Sequence, residues 1–212
     1  MSERPHRLLS LTLGDEPDAW RRAGFTVDDS GRFLLGTTVV ELTGAGGGVT
    51  GWSIEGVDGP LDGLPAAPSP AGSTGVPDGH PNGIDRIDHV VVRTGDCDRT
   101  IAAFEAAGLD VRGGRSTTSY GAPMRQTFFW AGDVIVELVG PDAGEPTTDE
   151  ATSFFGLALV SEDLDATAAQ LGDLLGSPKE AVQAGRRIAG LRGKDAGISV
   201  PVAVMSPHPG RD

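Results

Sequence analysis

The chain has 212 residues, of which 38% are hydrophobic, and a formal net charge of −13. This length allows one large domain or two small ones with a buried core. The acidic balance and the absence of a Lys/Arg cluster argue against binding to nucleic acid or to an anionic membrane surface. A single cysteine, Cys97, excludes an intramolecular disulfide, and no apolar run approaches membrane-spanning length. We therefore expect a cytoplasmic protein.

The N-terminal part, residues 1–57, is predicted to be a partial structural module. Residues 20–25 have the pattern of a helix end closed by Gly24, and residues 33–44 have that of two short strands. The glycine run 44–48 leads into a strand rather than a helix, so it is not a phosphate-binding loop. Residues 58–83 are mostly Gly, Pro, Ala, Ser and Asp, a composition typical of a linker.

The C-terminal part, residues 84–212, begins with a β-branched strand at 87–93 and an Asp-rich turn that can cap a helix. The following helix carries Ile101, Phe104 and Ala107 on one apolar stripe, which suits packing on a sheet. Strands are predicted near 109–111, 125–130 and 134–139, with a hairpin turn at Gly132. This order of elements is βαβββ.

The same pattern recurs along the chain. Residues 33–44 and 129–140 are identical at six of twelve positions at a constant offset, and Glu41 pairs with Glu137 in that alignment. A fainter copy places residues 157–171 over residues 90–104. The repeats predict one partial module followed by two further modules, at 84–141 and 152–207.

The segments IDHVVVRTGDCDRTIAAFEAAGL (87–109) and FFWAGDVIVELVGP (128–141) resemble the vicinal-oxygen-chelate superfamily, which includes glyoxalases, bleomycin-resistance proteins and extradiol dioxygenases. The resemblance implies an α+β fold, the glyoxalase/bleomycin-resistance/dioxygenase fold. In it, paired βαβββ modules form a cup-shaped, curved mixed sheet with helices on the outer face. It also implies a small organic molecule as the binding partner and a possible homodimer.

In that superfamily, a divalent metal is typically held by a residue of the first strand and a residue of the last strand of each module. Carried over to this chain, the second module supplies His89 and Glu137 as expected ligands. The third module has Gly156 and Ala203 at the matching positions, and neither side chain can bind a metal. Pairing of modules one and two would instead add His6 and Glu41, giving a four-ligand set suited to Zn²⁺, Fe²⁺, Mn²⁺ or Ni²⁺.

Five further residues are candidate ligand contacts. Arg125 and Gln126 lie on a strand that lines the cup in this superfamily, and Arg125 is a candidate clamp for a carboxylate. The other candidates are the aromatic residues Phe128 and Trp130 and the basic residue Arg186.

The residue pattern leaves three functions open, because a fold does not define a reaction. The first is a protein that binds a small organic molecule in its cup without a complete metal site. The second is a metal-dependent lyase, isomerase or dioxygenase, in which the cation polarises neighbouring oxygens of the substrate. The third is a non-catalytic interaction protein. No catalytic residue can be assigned from the sequence.

Overall fold

The computed structural model describes residues 6–72, 75–118, 122–145 and 147–209. The strands are β1 (Leu8–Leu13), β2 (Arg32–Leu35), β3 (Thr38–Leu42), β4 (Val49–Ile54), β5 (Ile84–Arg93), β6 (Val111–Thr117), β7 (Met124–Ala131), β8 (Val134–Pro141), β9 (Ser153–Ser161), β10 (Lys179–Glu180), β11 (Arg187–Gly190) and β12 (Val202–Met205). The helices are α1 (Pro17–Arg22), α2 (Cys97–Ala106), α3 (Leu164–Leu171) and α4 (Gly193–Ala196).

Modules two and three share one eight-stranded sheet with the order β10-β11-β12-β9-β5-β8-β7-β6. Their first strands, β5 and β9, pair antiparallel at its centre. Within each module the first strand runs parallel to the last, β5 with β8 and β9 with β12. This topology confirms the α+β fold of βαβββ modules that was predicted from the sequence.

Module one forms a separate four-stranded sheet with the order β2-β3-β1-β4. Strand β1 runs parallel to β3, as β5 does to β8, but no strand lies between α1 and β2. On its other edge β1 pairs antiparallel with β4, which takes the place that β9 has beside β5. The alternative pairing of modules one and two is therefore not adopted, because β4 and β9 occupy the edges through which these modules would meet.

Each of the two longer helices follows an aspartate that caps its N-terminus, as the Asp-rich turns predicted. The side chain of Asp96 accepts a hydrogen bond from the backbone N–H of Arg99 at α2, and Asp163 does the same for Ala166 at α3. Helix α2 buries Phe104 completely, with its ring centroid 5.0 Å from that of Phe129 on β7. This helix therefore covers the apolar face of the large sheet and leaves the opposite face for a site.

Among the contacts that hold segment 58–83 against the body of the protein is a largely buried carboxylate, that of Asp62. Asp62, whose side chain is 13% exposed, accepts hydrogen bonds of 2.5 Å from both Thr100 and Thr152 and pairs with Arg99 at 3.0 Å. Burial by itself raises the pKa of Asp62, but these hydrogen bonds outweigh it and lower the pKa below the usual range. The contact ties the segment to the first turn of α2.

Within the described ranges, no helix has both the length and the apolar character needed to cross a membrane.

Candidate functional site

The face of the large sheet opposite α2 carries His89, Val91, Ile135 and Glu137 side by side. His89 pairs with Ile135, and Val91 pairs with Glu137, in the parallel register of β5 and β8. Residues with the opposite parity, such as Val90, are fully buried in the core beneath the helix. The structure thus places His89 and Glu137 together on the concave face, which we call the cup.

His89 and Glu137 are close neighbours within the cup. The Nε2 atom of His89 lies 3.3 Å from Oε2 of Glu137, and their side chains are 14% and 10% exposed. A carboxylate this buried is costly unless other groups stabilise it. The two residues belong to a longer string of polar side chains that supplies those groups.

Asp88 and Arg186 support His89 from one side. The Nδ1 atom of His89 lies 2.8 Å from Oδ2 of Asp88, and the other Asp88 oxygen pairs with Arg186 at 2.8 Å. Arg186 is only 2% exposed and also donates to the carbonyl of Ser206 and to Gln183. Burial by itself raises the pKa of Asp88, but the hydrogen bonds and charges of His89 and Arg186 bring it down to about 2.

A β-bulge explains how adjacent residues reach the same site. Strict alternation would point Asp88 and His89 to opposite faces, but the register between β5 and β9 shifts between Ile87 and His89. Such a shift places an extra residue in one strand and redirects its side chain. Asp88 was not among the sequence candidates because a bulge leaves no periodic signal.

Gln126 and Arg115 support Glu137 from the other side. Gln126, which is 3% exposed, donates through Nε2 to Oε1 of Glu137. Its own Oε1 accepts a hydrogen bond of 2.5 Å from Nε of Arg115 on β6. Sequence reasoning named Gln126 but missed Arg115, whose role follows only from the pairing of β6 with β7. The complete string is Arg186, Asp88, His89, Glu137, Gln126 and Arg115.

The remaining candidates on β7 point to two different faces of the sheet, as their odd or even positions along the strand require. Phe128 pairs with Glu137, and Trp130 pairs with Ile135, so both half-buried aromatic residues share the cup face with Gln126. Arg125 points to the opposite face, where it pairs with Asp98 of α2 at 2.5 Å. The structure therefore does not bring Arg125 into the cup. Arg186 is also withdrawn from direct contact with a ligand, because it lies buried behind Asp88.

The structure does not bring His6 or Glu41 to this site. The Nδ1 atom of His6 lies 2.9 Å from the carbonyl oxygen of Glu55, and Glu41 lies on β3 of the separate sheet. The strand pairing also shows that His6 is not the residue equivalent to His89. Ser10 pairs with Val39 in module one, just as His89 pairs with Ile135 in module two. Ser10 is thus the structural equivalent of His89, and it lies four residues after His6.

Module three closes the position at which a second histidine would be expected. A Cβ atom added to Gly156 would lie 2.7 Å from the carbonyl oxygen of Pro201, closer than real side chains approach. Ala203 brings no donor atom. Among the described residues, no group of three or more His, Cys, Asp or Glu side chains could hold a metal. His89 and Glu137 alone do not make the three- or four-ligand protein site that a divalent metal normally requires.

A cavity of about 270 Å³ opens beside Glu137. Its lining is mainly apolar and consists of Val91, Arg93, Met124, Val139 and Phe155. Two of these residues flank Glu137, since Val91 is its cross-strand neighbour and Val139 follows it on the same face of β8. The guanidinium of Arg93 lies 5.7 Å from the centre of the Phe155 ring at the rim. The cavity therefore has mainly apolar walls and lies next to the polar pair of His89 and Glu137 along strands β5 and β8.

No protein-family model matches this chain, and no curated protein matches it. Several solved structures are similar in fold. Methylmalonyl-CoA epimerase from Mycobacterium tuberculosis is 20% identical with a TM-score of 0.46, over 60% of this chain and 91% of that one. A Streptomyces coelicolor methylmalonyl-CoA epimerase in complex with 2-nitronate-propionyl-CoA is 22% identical with a TM-score of 0.43, over 57% and 96%. A hypothetical protein from Bacillus halodurans C-125 is 14% identical with a TM-score of 0.46, over 60% and 97%. The activities named here belong to those proteins.

Proposed function

We propose that this protein binds a small organic molecule in the cup of modules two and three, without a complete metal site. It would then resemble the ligand-sequestering members of the vicinal-oxygen-chelate superfamily. The observation that carries the proposal is the apolar cavity of about 270 Å³, two of whose lining residues, Val91 and Val139, are strand neighbours of His89 and Glu137. Pockets for small molecules commonly combine apolar walls with a few well-positioned polar groups.

The cost of burying the polar string supports a role in binding. Well-packed apolar residues often stabilise a fold as well as or better than a buried ion pair does. Here Asp88, Glu137 and Arg186 are all largely buried, and the string runs across the face that bears the cavity. A string that holds two side chains in place for a ligand accounts for this arrangement.

A metal-dependent enzyme is the second candidate, and one observation favours it. The Nδ1 atom of His89 lies against a carboxylate, as is usual for histidines that bind metals through Nε2. Two protein donors are fewer than the three or four that such a site normally has, so the remaining ligands would have to be water or the bound molecule. Metal content therefore separates the two candidates.

A ligand screen by thermal shift tests the proposal. The chelated protein is screened as wild type, as Val91→Trp, which fills the cavity, and as Val182→Trp, which adds the same side chain at a position that is 77% exposed. A ligand at a hundred times its Kd should stabilise the fold by about 2.7 kcal/mol, or about 5–10 °C in Tm. We expect this shift in wild type and Val182→Trp but not in Val91→Trp.

Two results would count against the proposal. One is a screen in which no compound stabilises wild type, which favours the non-catalytic interaction protein. The other is a large Tm increase with Zn²⁺, Fe²⁺, Mn²⁺ or Ni²⁺ together with one bound metal per chain, which favours the enzyme.

A further inference from the structure

The β-bulge that brings Asp88 into the cup has a counterpart in module one. The register of β1 with β4 shifts at Leu9, just as the register of β5 with β9 shifts at Asp88. Leu9 is therefore the equivalent of Asp88, as Ser10 is the equivalent of His89. The same backbone device thus presents an apolar side chain in module one where it presents a carboxylate in module two.

Leu9 lines a second cavity, of about 430 Å³, on the four-stranded sheet of module one. Its apolar walls also include Leu34 and Val39, which are cross-strand partners, and Pro70, through which segment 58–83 reaches the cavity. This volume lies within the range of about 300–1,000 Å³ that is usual for small-molecule pockets. The cavity shares no lining residue with the one beside Glu137, so it is a separate place for a ligand.

The hydroxyl of Ser10 is buried and has no hydrogen-bond partner among the described residues. Ser10 follows Leu9 in the chain and pairs with Val39 across the strands, so it adjoins two residues of the cavity wall. A buried hydroxyl group without a partner is costly. The described part of the chain therefore leaves a polar requirement unmet on this face of the sheet, which a bound molecule or its water can fill.

The charge at this cavity comes from Arg7, which alone is charged among the described residues that line it. The Nε atom of Arg7 lies 3.7 Å from Oε2 of Glu55, and the two side chains are 51% and 56% exposed. An exposed ion pair at this distance contributes little to stability. The guanidinium can therefore exchange Glu55 for a carboxylate of a ligand and bind it through two parallel hydrogen bonds.

We propose that module one holds a second binding site, which takes a small amphiphilic anion such as a medium-chain carboxylate. The apolar chain of the ligand lies against Leu9, Leu34 and Val39, and its carboxylate pairs with Arg7. A cationic ligand is disfavoured because it meets the guanidinium. This site does not depend on the proposed function of modules two and three.

Octanoate and octylammonium test the charge preference, since they have apolar chains of similar length and opposite charges. We expect octanoate to bind the wild-type protein at least about fivefold more tightly in calorimetric titrations. In Arg7→Gln the difference should fall to within about twofold. Arg112→Gln is the matched control, because Arg112 is also half exposed, at 49%, and pairs with Asp110 on the other sheet. We expect the control to keep the wild-type preference.

Two variants that each block one cavity identify the site. Thr37→Trp places a large side chain at an exposed residue that lines the cavity of module one. Val91→Trp fills the cavity beside Glu137, and Val182→Trp again serves as the exposed control. We expect octanoate to bind wild type, Val91→Trp and Val182→Trp but not Thr37→Trp. In wild type, it should shift the methyl NMR signals of Leu9.

Three results would overturn the inference. Binding that is lost in Val91→Trp and kept in Thr37→Trp places octanoate in the cup, which supports the proposed function instead. Octylammonium that binds as tightly as octanoate, or more tightly, excludes an anion site at Arg7. Binding of neither probe excludes the second site, whereas the thermal-shift screen still decides the proposed function independently.

Discussion

Replacing Asp88 by Asn tests the polar string through protein stability. The fall in the pKa of Asp88 from 3.8 to about 2 corresponds, at 1.36 kcal/mol per unit, to about 2.4 kcal/mol of stabilisation at neutral pH. The change also leaves the guanidinium of Arg186, which is 2% exposed, without its carboxylate. Breaking a buried pair in this way typically costs about 3–5 kcal/mol, so we expect a loss of that size at pH 7.

The pH dependence of this loss follows from the sign of the shift. A lowered pKa in the folded state stabilises the protein above pH 3.8, and the stabilisation is lost as the pH falls through about 2. Urea unfolding at several pH values should show the advantage of wild type over Asp88→Asn narrowing over this window. Asp165→Asn, which removes an exposed partner of Arg187, should change stability little. Equal stability of wild type and Asp88→Asn at pH 7, or an advantage that does not change with pH, would refute this reasoning.

Three further predictions concern other parts of the chain. Gly156→Ala should destabilise the protein by about 1–3 kcal/mol in urea unfolding, because its Cβ would lie 2.7 Å from the carbonyl oxygen of Pro201, and unchanged stability would contradict this packing. Asp62→Ala should lower the free energy of unfolding by about 2–3 kcal/mol, because the hydrogen bond from Thr100 is lost. It should also speed limited proteolysis within residues 58–83. An unaltered cleavage rate would count against the contact. Burial lowers the pKa of His80, so NMR should find its imidazole ring still neutral just below pH 6.5. The stability that the neutral ring gives to the fold should be present above pH 6.5 and lost as the pH falls. A charged ring at pH 6.5 would exclude this explanation.

The fold could be predicted from the sequence because its signals are local and repeated. Alternation along β5 identifies the buried face, and the Asp-rich turns mark the starts of α2 and α3. The constant offset between Glu41 and Glu137 identifies equivalent strands in modules one and two. Which modules pair could not be predicted, because that depends on β4 and β9 reaching the free edges of β1 and β5.

The candidate site could be predicted only in part. His89 and Glu137 follow from parity, but Asp88 reaches the cup through a bulge, and alternation would have placed it on the other face. Two arginines illustrate the same limit. Arg125 has the parity of the helix face and pairs with Asp98, whereas Arg115 enters the string through its register with Gln126. Both outcomes depend on partners that are distant in sequence.

A crystal structure of the chelated protein with the best compound of the thermal-shift screen tests the central claim most directly. We expect the compound in the cavity beside Val91 and Val139, and no metal between His89 and Glu137. A compound bound outside the cup, or a metal ion retained between His89 and Glu137, would contradict the account.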